Sequence, residues 1–251
     1  MRQSGKMSTV VAEPDGIRRI KTYIEGFDEA LEGGIPANAI VLIAGTPGTM
    51  KSTVSCNMLY RNALAKDACG VYLTLEQNRF SLEQQGRRFG MHFESAGDRL
   101  RILDFGIVRK SLKQLTARRS WLEVFKMYVN NLKDSTGFDF LVIDSLDVLE
   151  TTARLQSRRD ELFYFFEWMK GLGATIILTS ESSLDHLPSE SRDEAYLADG
   201  LISLSIQAIS DVEVQRRIRC MKMRATNHSM DSFTFLYENR RFMAVKSISK
   251  P

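Results

Sequence analysis

Gly45-Thr46-Pro47-Gly48-Thr49-Met50-Lys51-Ser52-Thr53 (GTPGTMKST) follows the apolar run AIVLIA (39–44) and opens a helical pattern over 52–65. The spacing matches the phosphate-binding pattern G-x-x-x-x-G-K-[ST], except that Met50 stands where glycine is expected before the lysine. Strand before and helix after is the context that gives the pattern weight. Successive backbone N–H groups from Gly45 to Thr49 can wrap a phosphate, and the helix N-terminus adds a favourable dipole. Lys51 is expected to reach the β- and γ-phosphates of a nucleotide, and the Ser52 hydroxyl to hold magnesium. Met50 is read as entering the helix with negative φ. It is unbranched and helix-compatible, so it is expected to change a pocket edge near Glu76 or an adjacent subunit and to leave the cradle intact.

Outward from the loop, VYLTL (71–75), RILDF (101–105), FDFLVID (138–144), ATIILTS (174–180) and LISLSI (201–206) read as strands. Several are apolar on both faces, as a buried parallel sheet requires. Helical patterns over 79–90, 120–133 and 156–171 lie between them. The alternation predicts an α/β fold with a mostly parallel central sheet and helices on both faces. Segments 211–223, 232–237 and 241–247 read as antiparallel strands, with a tight turn at Glu238-Asn239-Arg240, and predict a C-terminal extension of the sheet. Residues 1–16 read as a polar tail and 17–251 as a single domain, which a chain of 251 residues can support.

A balance of 34 Lys+Arg against 31 Asp+Glu is too even to argue for nucleic acid by itself. The three cysteines (Cys56, Cys69, Cys220) are far apart, with no C-x-x-C pair, and read as reduced intracellular thiols. No apolar run reaches membrane-spanning length and no apolar signal core begins the chain, so a cytoplasmic location with no membrane contact is expected.

Three further stations carry chemistry. FDFLVIDSLD (138–147) places Asp144 at the C-terminal edge of a strand, where open α/β sheets bind ligands, and Asp144 is read as orienting magnesium. VYLTLEQN (71–78) places Glu76 on the same edge, either as acceptor of a proton from water or as a helix N-terminal charge. In RIRCMKMRATNHS (217–229), alternation puts Lys222 and Arg224 on one face and Arg217, Arg219 or Met221 on the other. Such a cation pair can face an anion or simply solvent. The aromatic LFYFFEWMK (162–170) reads as core or subunit contact. The basic cluster Arg109, Lys110, Lys113, Arg118 and Arg119 reads as a solvated face or a partner surface. His92 and His186 have no partners that point to a metal.

Taken together, these stations resemble the KaiC branch of the RecA superfamily of ATPases over roughly residues 18–246. RRIKTYIEGFDEALEGGIP looks like that family's lead-in, GTPGTMKST its phosphate loop, VYLTLEQN its glutamate strand and VIDSLD its magnesium strand. TSES (179–182) falls at its polar sensor, and ADGLI and MKMRATNH resemble its late motifs. The resemblance implies a RecA-like fold, ATP and Mg2+ as ligands, and hexameric rings of like subunits with nucleotide at their interfaces. It implies that Glu76 and Lys51 act in hydrolysis, and that Lys222 and Arg224 reach the γ-phosphate of a neighbouring subunit with Thr226 and His228 nearby. An arginine supplied in trans would place positive charge at the developing anion.

Departures are specific. Gln77 replaces a second glutamate, which implies slow hydrolysis, and Ala225 stands where the family pattern has glycine. EAYLADG (194–200) lacks Ser and Thr at the family's autophosphorylation positions, and Ser182 and Ser183 are unsupported alternatives. The leading expectation is an ATPase whose nucleotide state controls ring assembly or binding of a protein partner. The alternatives are a nucleotide-binding regulatory subunit of the archaellum-motor type, or a DNA repair paralogue. The short, weakly basic segment after TSES disfavours nucleic acid.

Overall fold

The computed structural model describes residues 16–107, 120–181 and 193–246. The readings made above for residues 1–15, for the basic cluster between Arg109 and Arg119, for Ser182, Ser183 and His186, and for residue 247 lie outside them.

Strands β1 (Arg19–Ile20) and β3 (Ile35–Pro36) pair antiparallel as a small ribbon, with β2 (Ile24–Glu25) and the short helix α1 (Phe27–Ala30) between them. The chain then alternates: β4 (Ile40–Ala44), α2 (Lys51–Ala65), β5 (Gly70–Thr74), α3 (Arg79–Arg88), β6 (Leu100–Asp104), α4 (Trp121–Thr136) and β7 (Phe140–Asp144). Helices α5 (Leu146–Ala153) and α6 (Arg158–Gly171) precede β8 (Thr175–Ser180), and α7 (Asp193–Leu197) precedes β9 (Gly200–Ala208). The last strands are β10 (Val214–Met223), β11 (Ser232–Glu238) and β12 (Arg241–Lys246). One ten-stranded sheet has the order β2-β12-β11-β10-β9-β4-β8-β7-β5-β6. It is parallel from β9 to β6 and antiparallel from β9 to β12, so the expected antiparallel extension continues the main sheet.

The side-chain period of 2 explains why these runs are apolar throughout. In β4, Val41 and Ile43 enter one core with Val54, Met58 and Leu59 of α2, whereas Ile40, Leu42 and Ala44 enter the other with Phe125, Phe165 and Phe166. The strand is therefore covered on both faces. Helix α6 divides likewise: Leu162, Phe165, Phe166 and Met169 are buried, while Phe163 and Tyr164 are exposed. Sequence patterning did not anticipate α5, α7 or β1 to β3. These pieces run from two to eight residues, too short to establish a period.

Helix α4 begins with a capping box: the Ser120 hydroxyl accepts from the Glu123 N–H, and Glu123 accepts from the Ser120 N–H. It ends at Gly137 in the left-handed region. Among the described residues, no helix is long and apolar enough to cross a membrane.

Candidate nucleotide site

The phosphate loop leaves β4 at the C-terminal edge of the sheet. Gly45 is required there by close approach, since a Cβ on it would lie 2.1 Å from the Leu204 carbonyl oxygen of the neighbouring strand. Gly48 has φ +85, a conformation that glycine adopts without steric cost. Thr46, Pro47 and Gly48 are exposed, while Thr49 is buried and its hydroxyl donates to the Thr46 carbonyl at 2.8 Å. Lys51 folds back over the loop, its Nζ 3.2 Å from the same carbonyl. The loop is thus closed by its own side chains and presents its backbone outward.

Met50 corrects the sequence reading. It is the N-cap of α2 and has φ 77, ψ 23, so it stands in the left-handed region and not in the helical one. The residue before the first helical position need not share the helix's φ. Ala225, the other departure from a family glycine, has φ 54. A side chain in this conformation costs about 1–2 kcal/mol relative to its right-handed counterpart. Ala225 is exposed and loses no packing when truncated. Ala225→Gly is therefore expected to stabilise the fold by about 1 kcal/mol, raising Tm by roughly 2–4 °C in a thermal melt. Met50→Gly relieves a similar conformation but removes a side chain packed against the core beside α2, so a smaller gain is expected. An unchanged or lower Tm for Ala225→Gly would show that the backbone is not strained there.

Beside the loop lies a cavity of about 360 Å3. Pro47, Gly48, Met50, Lys51, Ser52 and Thr53 line one side of it, and Glu76, Gln77, Asp144 and Ser145 line another. Register explains the meeting: Thr74 of β5 is level with Asp144 of β7, so the residues just beyond each strand share an edge. Asp144 is buried, and its two oxygens accept from the Tyr72 hydroxyl at 2.6 Å and from the Thr179 hydroxyl. Burial, reinforced by the nearby Asp144 charge, pushes the Tyr72 phenol well above its ordinary range, so it remains a donor. Glu76 accepts from the Ser145 hydroxyl. Desolvation is the main cause that raises its pKa; the Ser145 hydrogen bond opposes this, and Asp144, Glu181 and Asp147 add to it. Asp147 in turn accepts from the Glu181 N–H at 2.9 Å, tying α5 to the end of β8 where the polar sensor was expected.

Several contributors were not singled out from sequence. Arg216 donates from Nε to the Gly48 carbonyl at 3.0 Å and lines the cavity, as do Gln85, Phe89 and Glu181. Gln85 also donates to the Thr53 hydroxyl at 2.8 Å. The alternation of VYLTL could have placed Tyr72 on the α2 face, but nothing local distinguishes Arg216 from its neighbours Arg217 and Arg219.

The remaining expected site residues lie elsewhere in the chain. Lys222 is level with Leu201 and Met223 with Gly200, near the start of β4, while Arg216 is level with Ile206 at the loop end. Six residues of strand, about 20 Å, separate Lys222 from Arg216. A register shift between Cys220 and Lys222 interrupts the strict alternation assumed from sequence. Lys222 and Arg224 nevertheless converge: Lys222 Nζ donates to the carbonyls of Ala195, Tyr196 and Ala198, and Arg224 bonds Asp199 at 2.8 Å and the Tyr196 carbonyl at 3.3 Å. They cap the carbonyl end of α7. Burial, then the Arg224 charge, lowers the Lys222 pKa, and Asp199 opposes the shift. Thr226 accepts from Arg19 at 2.8 Å, and His228 Nδ1 lies 3.1 Å from the Ser229 carbonyl. These four residues are not brought to the phosphate loop of their own chain.

Comparison with known proteins agrees with the fold. The family model described as "ATPase: KaiC" matches residues 20–248. A UPF0273 protein of Thermotoga maritima is 32% identical over 87% of this chain and 92% of its own. The circadian clock protein KaiC2 of Synechocystis is 28% identical over 86% of this chain but only 38% of its own length. The crystal structure of a KaiC-like protein from Pyrococcus horikoshii superposes with a TM-score of 0.76 at 29% identity, covering 91% of this chain and 99% of that one. The ordered motifs, the RecA-like sheet and a family match spanning nearly the whole sequence lead to one assignment: the chain belongs to the KaiC family of ATPases.

Proposed function

We propose that this protein binds ATP with Mg2+ at the phosphate loop and hydrolyses it slowly at interfaces between like subunits in a ring, with Lys222 and Arg224 reaching the neighbour's γ-phosphate. The observation that carries the reading is the placement of those two cations. They converge at the sheet edge opposite their own phosphate loop and are not brought to it, which supports a role at another chain's site.

The donor set suits magnesium. Ser52 and Asp144 offer hard oxygen ligands to the same cavity, and a Mg2+ site uses few protein ligands beside phosphate oxygens and water. Bound there, the cation would neutralise charge on the phosphates. The loop N–H groups and Lys51 would hold the phosphates, and Arg216 would keep a positive charge at the lip. Glu76 would accept the proton of the attacking water. Because the Ser145 hydroxyl already engages Oε1 of Glu76, the free oxygen is the one available to water. This engagement, with Gln77 in place of a second carboxylate, supports slow turnover and favours as second reading a subunit that retains nucleotide and signals through it.

Sizing the purified protein with and without ATP·Mg, while following phosphate release in the same sample, tests the reading. A larger assembly with nucleotide and slow release are expected, both lost in Lys51→Ala. A monomer in both states with no release would overturn it. Assembly and tight ATP retention without release would select the second reading.

A further inference from the structure

Arg158, the first residue of α6, stands among three carboxylates. It holds Glu150 of α5 as a bidentate pair, Nε to Oε2 at 2.7 Å and Nη2 to Oε1 at 3.0 Å. The same Nη2 donates to Oε2 of Glu194 on α7 at 2.8 Å, and Nη1 lies 3.8 Å from Asp193. Among the described residues no other cation pairs with Glu150 or Glu194. The Glu194 side chain is only 6% exposed. Burial raises the Glu150 pKa; the Arg158 hydrogen bond and charge oppose that shift, and the Glu194 charge adds to it. The two carboxylates thus repel each other across the guanidinium that joins them.

What the cluster holds is the helix on which the trans-acting cations rest. Helix α7 has five residues, and helices shorter than about 12–15 residues are marginal by themselves in water. Its place is therefore set by its tertiary contacts. The Arg158 pairs hold its N-terminal turn, with a more exposed contact between Arg159 and Asp193 at 3.6 Å. At its other end Lys222 Nζ donates to the Ala198 carbonyl at 2.6 Å, and Arg224 donates to the Tyr196 carbonyl at 3.3 Å. Helix α5, which carries Glu150, begins directly after Asp144 and Ser145 of the nucleotide cavity. Arg158 is thus a polar joint between that cavity's wall and the support of Lys222 and Arg224.

From this arrangement we infer that Arg158 is a positioning residue for ATP hydrolysis: by holding Glu194 it fixes α7, and α7 fixes Lys222 and Arg224 for the neighbour's site. The inference rests on the function proposed above, in which that pair acts in trans. Arg158 does not line its own nucleotide cavity, so its effect passes through the pair. Without it, Glu150 and Glu194 face each other as like charges and the N-terminal turn of α7 loses its buried partner. The planar guanidinium reaches both carboxylates at once, a geometry that lysine reproduces only in part.

Mixing of full-length variants tests it. Arg158→Ala is expected to slow hydrolysis by about 10^2-fold, the scale of a small misplacement, with the ATP Kd changed by less than about tenfold. Arg158→Lys should recover part of the rate, and Glu194→Gln, which keeps the side chain's size, should lose less than Arg158→Ala. Mixed with Glu76→Gln subunits, Arg158→Ala should gain activity, because its own site is intact and the partner's cations are in place. Mixed with Arg224→Ala it should gain none, because neither subunit then delivers a competent pair. The reverse pattern would place Arg158 at its own site and overturn the inference, as would unchanged hydrolysis in both Arg158→Ala and Glu194→Gln. Hydrogen exchange is read on the same variants: amides over 194–199 should exchange about tenfold faster in Arg158→Ala. Unchanged exchange there overturns the inference whether or not subunits assemble. A reference mixture of Arg224→Ala with Glu76→Gln that shows no gain would fail the trans reading alone, and exchange would then decide whether Arg158 positions α7.

Discussion

Arg224→Ala is expected to slow ATP hydrolysis by about 10^3-fold or more while changing the ATP Kd by less than about tenfold. An arginine delivered to a neighbour's γ-phosphate acts where charge develops in phosphoryl transfer, whereas the phosphate loop supplies most of the ground-state hold. The structural role of Arg224 is too small to imitate such a loss. Its ion pair with Asp199 leaves the Arg224 side chain 53% exposed, and pairs of that kind contribute about 1 kcal/mol or less. Thermal melts of the variant should therefore stay near those of the unmodified protein. Mixing gives the stricter test. Arg224→Ala subunits retain Glu76, and Glu76→Gln subunits retain Arg224, so a mixed assembly contains some interfaces with both. Activity in the mixture above that of either variant alone is expected. Unchanged hydrolysis in Arg224→Ala, or a mixture no better than its parts, would remove Arg224 from the neighbour's site.

Glu76→Gln is expected to reduce turnover by roughly 10^2–10^4-fold, the usual contribution of a general base, with the phosphate loop still binding ATP. Its pH dependence has a definite sign. Glu76 must be ionised to accept a proton, so the rate falls as pH drops through its pKa. Desolvation raises that pKa. The acid limb of the rate profile should thus lie above the ordinary glutamate range near 4.3. The Ser145 hydrogen bond stabilises the ionised form and opposes the shift. Ser145→Ala should consequently move the acid limb to still higher pH. A profile that keeps the same limb in Glu76→Gln would assign the titration to another group.

Much of the site could be read from the chain because its parts are local. GTPGTMKST fixes a strand, a turn and a helix start within nine residues. Asp144 ends one apolar strand and Glu76 follows another, and parallel order then delivers them to one edge. Arg216 was invisible for the opposite reason. Only the β9–β10 register carries it to Gly48, while Arg217, next in sequence, instead donates to Thr234 at 2.8 Å. Met50 shows how a local inference can fail. Its place before the helix was legible, but its φ belongs to the cap and is set by the closing loop.

The sequence by itself determined the α/β alternation, the phosphate cradle and the two carboxylates at the strand ends. These follow from side-chain period, glycine spacing and strand-to-helix order, all of which act over a few residues. The tertiary structure alone decided that Lys222 and Arg224 face away from their own cradle and that Tyr72 and Thr179 hold Asp144. Those outcomes depend on which strands pair, in what register and with what bulge. Such choices are settled by burying two sheet faces at once, across residues far apart in the chain.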